Sequence, residues 1–150
     1  INILYDDDLI GKLDNLFIII NENISDSIIQ IKNNINNKLQ SDIDISSLDD
    51  EIKKHNLNLT KKHFKYVDIY NLNSLQININ KHELVPEHRI LRNNDEIEKI
   101  LKKCNATKKQ LPIINKQDPI AKINMMIEGD ICEIKRVNRK GENLYYRICR

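Results

Sequence analysis

The residues able to do chemistry fall into three sets. Five are of zinc-ligating type: His82, His88, Cys104, Cys132 and Cys149. A zinc site needs such donors converging, commonly from a Cys-x-x-Cys or comparable pair. No such pair occurs, and Cys104 falls on the apolar side of a predicted helix, so the cysteines are read as core residues and no metal site is assigned. The second set is two Glu-x-Lys triplets, Glu51-Ile52-Lys53 and Glu133-Ile134-Lys135. Metal-dependent nucleases use this triplet on one strand with a further carboxylate on the strand before it. Neither triplet follows a Pro-Asp strand, so no catalytic residue is assigned. The third set is cationic. Lys53, Lys54, Lys61, Lys62 and Lys65, with His55 and His63, lie within thirteen residues free of acids, whereas residues 1–51 hold eleven acids and three lysines. Sequence-independent duplex binding needs only phosphate neutralisation by such side chains. These five lysines are therefore the candidate DNA contacts, with an ordinary solvated face as the alternative. Three glycines are too few for a Walker loop or a dinucleotide fingerprint.

The elements that must carry these residues are those of a small α/β protein. The chain has 150 residues with a net charge of +2, enough for one or two domains. An odd cysteine count excludes a closed disulfide framework and fits a reducing compartment. The longest apolar run, Leu16 to Ile20, is far short of the ~20 residues that span a bilayer, so no membrane partner is expected. No secretory signal is visible, and a first residue of Ile1 implies a chain that extends upstream. Ile, Asn and Lys, all with AT-rich codons, make up 67 residues. That bias belongs to the genome and weakens propensity arguments. Charge divides the chain: residues 1–80 carry a net of −4 and residues 81–150 a net of +6, so two units, 1–80 and 81–150, are expected.

In the first unit, Ile3 to Tyr5 reads as a strand end and Leu9 to Leu16 as a short helix. Leu16 to Ile20 reads as a strand buried on both faces. Ile24, Ile28, Ile31, Ile35 and Leu39 form a helical stripe, with Ser25 as its N-cap. A helix near Leu48 to His55 and strands at Phe64 to Tyr70 and Gln76 to Asn80 complete an α/β order. In the second unit, Ile97, Ile100, Leu101 and Cys104 mark a helix, opened by an Asn93/Glu96 capping box. Leu111 to Ile114 is extended. Asp118-Pro119 starts a helix. Ile131 to Val137 and Leu144 to Cys149 read as strands joined by a hairpin loop over 139–143. Leu84-Val85-Pro86 is a stiff, extended, apolar segment, because Pro86 fixes its own φ and biases Val85 towards β. It can fill a groove on a partner or anchor the seam between the units. Gly129 supplies a positive φ, and Asp130 binds the amides of that turn.

The stretch Lys81-His82-Glu83-Leu84-Val85-Pro86-Glu87-His88 resembles the signature of the jaw subunit shared by eukaryotic nuclear RNA polymerases I, II and III, their fifth-largest subunit, which has a shorter archaeal RNA polymerase counterpart. The resemblance continues in order through Gln110-Leu111-Pro112, Asp118-Pro119-Ile120-Ala121, Glu128-Gly129-Asp130, Ile134-Lys135-Arg136 and Tyr146-Arg147. It covers about 70 residues, the whole second unit. Residues 16–39 and 66–79 resemble the eukaryotic jaw domain more weakly, with Ser25-Asp26-Ser27-Ile28 standing where the family has Thr-Pro-Ser-Ala. The resemblance implies a truncated, restriction-endonuclease-like jaw domain, a helix-flanked sheet, followed by a two-layer α/β assembly module similar to the archaeal counterpart. It implies a non-catalytic polymerase subunit whose module docks on the largest subunit and whose jaw lies by downstream duplex DNA. His82, Leu84, Val85, Pro86, His88, Gly129, Asp130, Arg136, Tyr146 and Arg147 are the partner-binding residues it marks. No cofactor is expected in this chain, magnesium and zinc being held by other polymerase subunits, and no small-molecule substrate. A cellular enzyme places it in the nucleus; a divergent viral one, which the departures fit, places it in the virion or a cytoplasmic viral factory. The alternatives are a nuclease-like DNA-binding or DNA-cleaving domain, which the resemblance of the jaw fold to restriction-endonuclease cores implies, and a stand-alone binding module.

Overall fold

A computed structural model describes residues 4, 9–11, 14–41, 43, 49–139 and 141–150. Ile3 and Tyr5 of the expected strand end, and Lys12 and Leu13 of the expected helix at Leu9 to Leu16, lie outside the described residues; Leu4 is in no strand, and no helix forms over residues 9–11 or 14–16. The chain forms two compact units, one of residues 1–47 and 60–77, the other of 48–59 and 78–150. Segment 48–59 thus belongs with the C-terminal unit. It holds helix α2 (Asp49–Lys54), and it is tied down by a bridge from Leu57 to Asn93 and by Asn58 N–H donating to Arg92 O at 2.6 Å.

In the first unit, β1 (Leu16–Ile20) pairs in parallel with β2 (Val67–Asn71), and helix α1 (Asp26–Ser41) packs against them. Leu39 and Val67 form the core with Leu16, Ile18 and Ile35 around them. β1 is not buried on both faces: Leu16, Ile18 and Ile20 point inward, while Phe17 and Ile19 are exposed. The α1 stripe is also rotated from the expected one. Ile31 is exposed, and Lys32, a step of about 100° round the helix, is buried with Asn36 and Leu39. Two polar residues enter the core because each finds its partners there. Asn36 Nδ2 donates to Val67 O and its Oδ1 accepts from Val67 N–H, both at 2.8 Å, which satisfies the strand's backbone as a neighbouring strand would. Lys32 Nζ bonds Asp68 Oδ1 at 2.8 Å, with side chains only 5% and 4% exposed. Burial, the Asp68 charge and a hydrogen bond to Asp68 together push the Tyr70 phenol well above its ordinary range.

β2 starts at Val67 rather than Phe64, because Lys65 takes a left-handed turn with φ 50°. No strand forms over Gln76 to Asn80. The Asn71 side chain accepts from Asn73 N–H at 2.7 Å, which starts a one-turn helix α3 (Leu72–Leu75), and a 3-10 turn follows at Ile79–Lys81.

The second unit is a four-stranded sheet in the order β3–β5–β6–β4, with β3 (Glu87–Leu91), β4 (Ile113–Ile114), β5 (Ile131–Asn138) and β6 (Gly141–Cys149). Helix α4 (Asn94–Lys103) and helix α5 (Pro119–Ile123) complete it. Alternate β5 residues feed two cores. Ile131 joins Leu91, Ile97, Leu111 and Ile148 under α4; Cys132 and Ile134 join Ile114, Ala121, Met126 and Cys149 under α5. Because successive strand residues point to opposite faces, the sheet is covered on both sides. The unit is therefore three-layered at its base, a correction to the two-layer expectation; its mixed α/β class holds. Burial pushes the thiols of Cys132 and Cys149 up to about 11, so both are neutral core hydrophobes. Asn93 caps α4 by accepting from Asp95 and Glu96 N–H at 2.9 and 3.2 Å, but Glu96 does not close a capping box: its carboxylate binds Arg89 at 2.6 Å instead. Asp118 caps α5 through Ile120 N–H at 2.8 Å with Pro119 in the first turn. The hairpin is tighter than expected. β5 runs to Asn138 and β6 begins at Gly141, whose φ of 129° suits glycine.

Candidate assembly site

The sheet ends unevenly, and this builds the site. β5 extends to Asn138, but β3 begins only at Glu87, opposite Lys135. Upstream of Glu87 the chain turns away, held by Val85 N–H to His82 O at 2.9 Å and Leu84 N–H to His82 Nδ1 at 3.2 Å. His88 Nδ1–H donates to Pro86 O at 2.6 Å and fixes the exit from that turn. Between the turn and the end of β5 lies a groove of about 520 Å³, lined by residues 83–87 and 135–138. Leu84 is 85% exposed and Val137 71%, so each leaves most of a branched apolar side chain in water. Glu83 and Glu87 rim one side, Lys135 and Arg136 the other. Lys135 is held by Glu142 at 3.0 Å, and the Arg136 guanidinium sits 5.0 Å from the centre of the Tyr145 ring. Such a groove can bury apolar side chains of a partner inside a charged rim.

The structure thus gathers Leu84, Val85, Pro86 and Arg136 around one groove, with His82 exposed in the adjoining turn and His88 half-buried behind it. It separates the other signature residues from them. Gly129 and Asp130 lie at the opposite end of β5. Gly129 has a φ of 98° and donates to Cys149 O at 3.0 Å. Asp130 is fully buried; its Oδ2 accepts from Ile127 N–H at 2.9 Å and lies 3.5 Å from Arg92 Nη2. A carboxylate with no exposed surface cannot touch a partner, so its part is to build the turn. Tyr146 packs beside α4 and donates to Glu133 Oε2 at 3.1 Å, which, after burial, raises its phenol pKa. Arg147 donates to Ile113 O at 3.0 Å, tying β6 to β4.

The five lysines, clustered within thirteen residues of sequence, divide between the units. Lys53 and Lys54 are exposed at the end of α2 in the second unit. Lys61 and Lys62 are exposed on a 3-10 turn of the first, beside half-buried Lys65. Of the two Glu-x-Lys triplets, Glu133-Ile134-Lys135 lies on β5, where Glu133 is engaged by Arg89 and Tyr146. Among the described residues, no three His, Cys, Asp or Glu side chains converge as a metal site. Cys104 is exposed, unlike the buried Cys132 and Cys149. The candidate partner-binding residues did not include Glu83, Glu87, Lys135, Val137 and Asn138, which the groove adds, although Glu83, Glu87 and Lys135 stand in the signature blocks and the strand expected over Ile131 to Val137 reaches Val137.

The family described as RNA polymerase Rpb5, C-terminal domain, matches residues 77–149. The chain is 46% identical over 74 residues to DNA-directed RNA polymerase subunit Rpo5 of Pyrococcus abyssi, a match spanning 49% of this chain and 89% of that one. The chain belongs to the Rpb5/Rpo5 family of RNA polymerase subunits. The Rpo5 of Archaeoglobus fulgidus is 39% identical over 75 residues, 49% of this chain and 97% of its own. DNA-directed RNA polymerase V subunit 5A of Arabidopsis thaliana is 38% identical over 76 residues, 51% of this chain but only 32% of the plant subunit. The Rpb5 match takes in the whole groove and every signature residue, and residues 1–76 fall outside it.

Proposed function

We propose that the chain serves as a non-catalytic subunit of a multi-subunit DNA-directed RNA polymerase, its C-terminal unit docking on the largest subunit through the Leu84–Val137 groove. The observation that carries this reading is the groove itself: two exposed apolar side chains, on a unit that matches the Rpb5 C-terminal domain, inside a rim of four charged residues. Such a patch fits an interface better than a free surface. Leu84→Asp and Val137→Asp place a carboxylate in the groove without touching the core, so neither variant should lose stability. Each should reduce co-assembly with the largest subunit at least tenfold when tagged full-length chain is co-expressed with the other subunits. Undiminished assembly of both would contradict the groove's role.

The first unit is proposed as the jaw-like, restriction-endonuclease-like part lying by downstream duplex DNA, with its Lys61, Lys62 and Lys65, and Lys53 and Lys54 of the second unit, as phosphate contacts. Support comes from its βαβ order and the local reversal of charge at residues 53–65. Replacing the five lysines by glutamine should weaken retention of downstream DNA by the assembled polymerase. It should also flatten the plot of log affinity against log salt, by roughly 0.9 for each phosphate no longer neutralised. An unchanged slope would exclude these lysines as DNA-binding groups. The place of action is wherever that polymerase transcribes: the nucleus for a cellular enzyme, the virion or a cytoplasmic factory for a viral one.

A further inference from the structure

Beside the groove, on the other flank of the same sheet, β6 has an open edge. β4 covers only its end, with Ile113 opposite Ile148 and Ile114 opposite Cys149. The ladder fixes which backbone groups face outward. Ile148 N–H turns away from β5 to reach Pro112 O at 2.9 Å, while Cys149 N–H turns towards β5 and Asp130 O at 2.8 Å. The β5–β6 register runs without a bulge from Ile131↔Ile148 to Asn138↔Gly141, so the alternation carries through. The N–H and C=O groups of Glu142, Leu144 and Tyr146 therefore point outward. Among the described residues of this unit, none of them has a backbone partner.

Edge strands of this length are ordinarily blunted by proline, a bulge or an inward charge. β6 has none of these between Gly141 and Tyr146, and it presents Leu144 on one face and Tyr145 on the other, both nearly half exposed. The stretch from Glu142 to Tyr146 offers about 17 Å of strand, room for four or five added residues. Charge names the occupant. Residues 135–147 hold Lys135, Arg136, Arg139, Lys140 and Arg147 against a single acid, Glu142, whose carboxylate is already engaged by Lys135 at 3.0 Å.

The geometry points to strand addition at this edge: an extended, acidic segment of another polymerase subunit pairs with Glu142, Leu144 and Tyr146, apolar side chains of one of its faces resting on Leu144 and of the other on Tyr145. This rests on the docking reading above and adds a second anchoring point to it. Main-chain bonds supply affinity, and the alternating side chains and the cationic rim supply selectivity.

Leu144→Pro tests it. The Leu144 N–H faces away from β5, so proline there removes no ladder bond but bars an incoming strand. Full-length chain bearing Leu144→Pro should keep the wild-type circular dichroism spectrum and lose at least tenfold in co-assembly. Arg139→Glu, in the exposed turn, should weaken assembly in the same direction without any backbone change. Should Leu144→Pro fail to fold, hydrogen exchange on the wild-type chain decides. The amides of Glu142, Leu144 and Tyr146 should exchange at least tenfold more slowly in the assembled polymerase than in the free chain, and those of Asn143 and Tyr145 slowly in both. Equal exchange at those three amides, in an assembly that contains the chain, overturns strand addition and leaves groove docking standing. A wild-type chain that joins no polymerase overturns both. Self-association that Leu144→Pro abolishes gives the edge to a second copy and overturns the acidic partner.

Discussion

Asp68→Leu is expected to destabilise the N-terminal unit by about 3–5 kcal/mol, because it leaves the buried Lys32 ammonium without its counter-charge. Lys32 and Asp68 are bonded at 2.8 Å, and neither has other than slight exposure. The cost comes from leaving one charge unpaired rather than from losing an intrinsically strong bond. The same argument makes Lys32→Met comparably harmful, since it leaves a buried carboxylate that keeps the Ile69 N–H at 2.9 Å but has lost its cation. The double variant, Lys32→Met with Asp68→Leu, removes both charges and should recover more than half of the loss. Replacing a whole buried pair by apolar groups of similar volume is often close to neutral. Urea unfolding of the four proteins, followed by circular dichroism, gives the coupling directly. Additive losses in the double variant would show that the two charges do not act as a pair.

Asp130→Ala is expected to cost the C-terminal unit about 3 kcal/mol, through an unsatisfied Ile127 N–H and a lost partner for Arg92. Asp130 is completely buried, and its own backbone carbonyl also accepts from Cys149 N–H at 2.8 Å, so the turn it holds leads into β5 and is pinned to the end of β6. Asp130→Asn keeps an acceptor for Ile127 and loses only the charge facing Arg92, and should cost about 1 kcal/mol. Melting temperature should therefore fall in the order wild type, Asn, Ala. Assembly of the Asn variant below its melting temperature should equal that of wild type. An Asn variant of normal stability that fails to assemble would mean that Asp130 meets the partner after all.

These two residues mark where the sequence was readable and where it was not. The Glu-Gly-Asp block pointed to a positive-φ glycine and a turn-binding aspartate, and Gly129 and Asp130 behave so, because both roles are local. The stripe of Ile97, Ile100 and Leu101, with its Asn93 cap, was legible for the same reason. The burial of Lys32 was not. Its partner lies 36 residues away on β2, and a helical stripe drawn through isoleucines alone passes over it. In a chain with 28 Ile, an isoleucine carries little information about burial: Ile19, Ile31, Ile77 and Ile113 are all exposed. The placement of residues 48–59 with the C-terminal unit rests on a bridge to Asn93 and bonds to its neighbours, a long-range pairing that periodicity does not record. The candidate site was half legible. Leu84-Val85-Pro86 and Arg136 stood out as motif residues, whereas the groove they share exists only because β5 outlasts β3, a property of register.

Entry of this chain into a polymerase through its C-terminal unit is open to one direct measurement. A tagged full-length chain is purified from cells expressing it with the other subunits of its polymerase, and the captured proteins are identified by mass spectrometry. The largest subunit should be recovered in equal amount with the wild-type chain and lost with Leu84→Asp. Recovery of the wild-type chain as a free monomer, with no polymerase subunit bound, would contradict docking altogether.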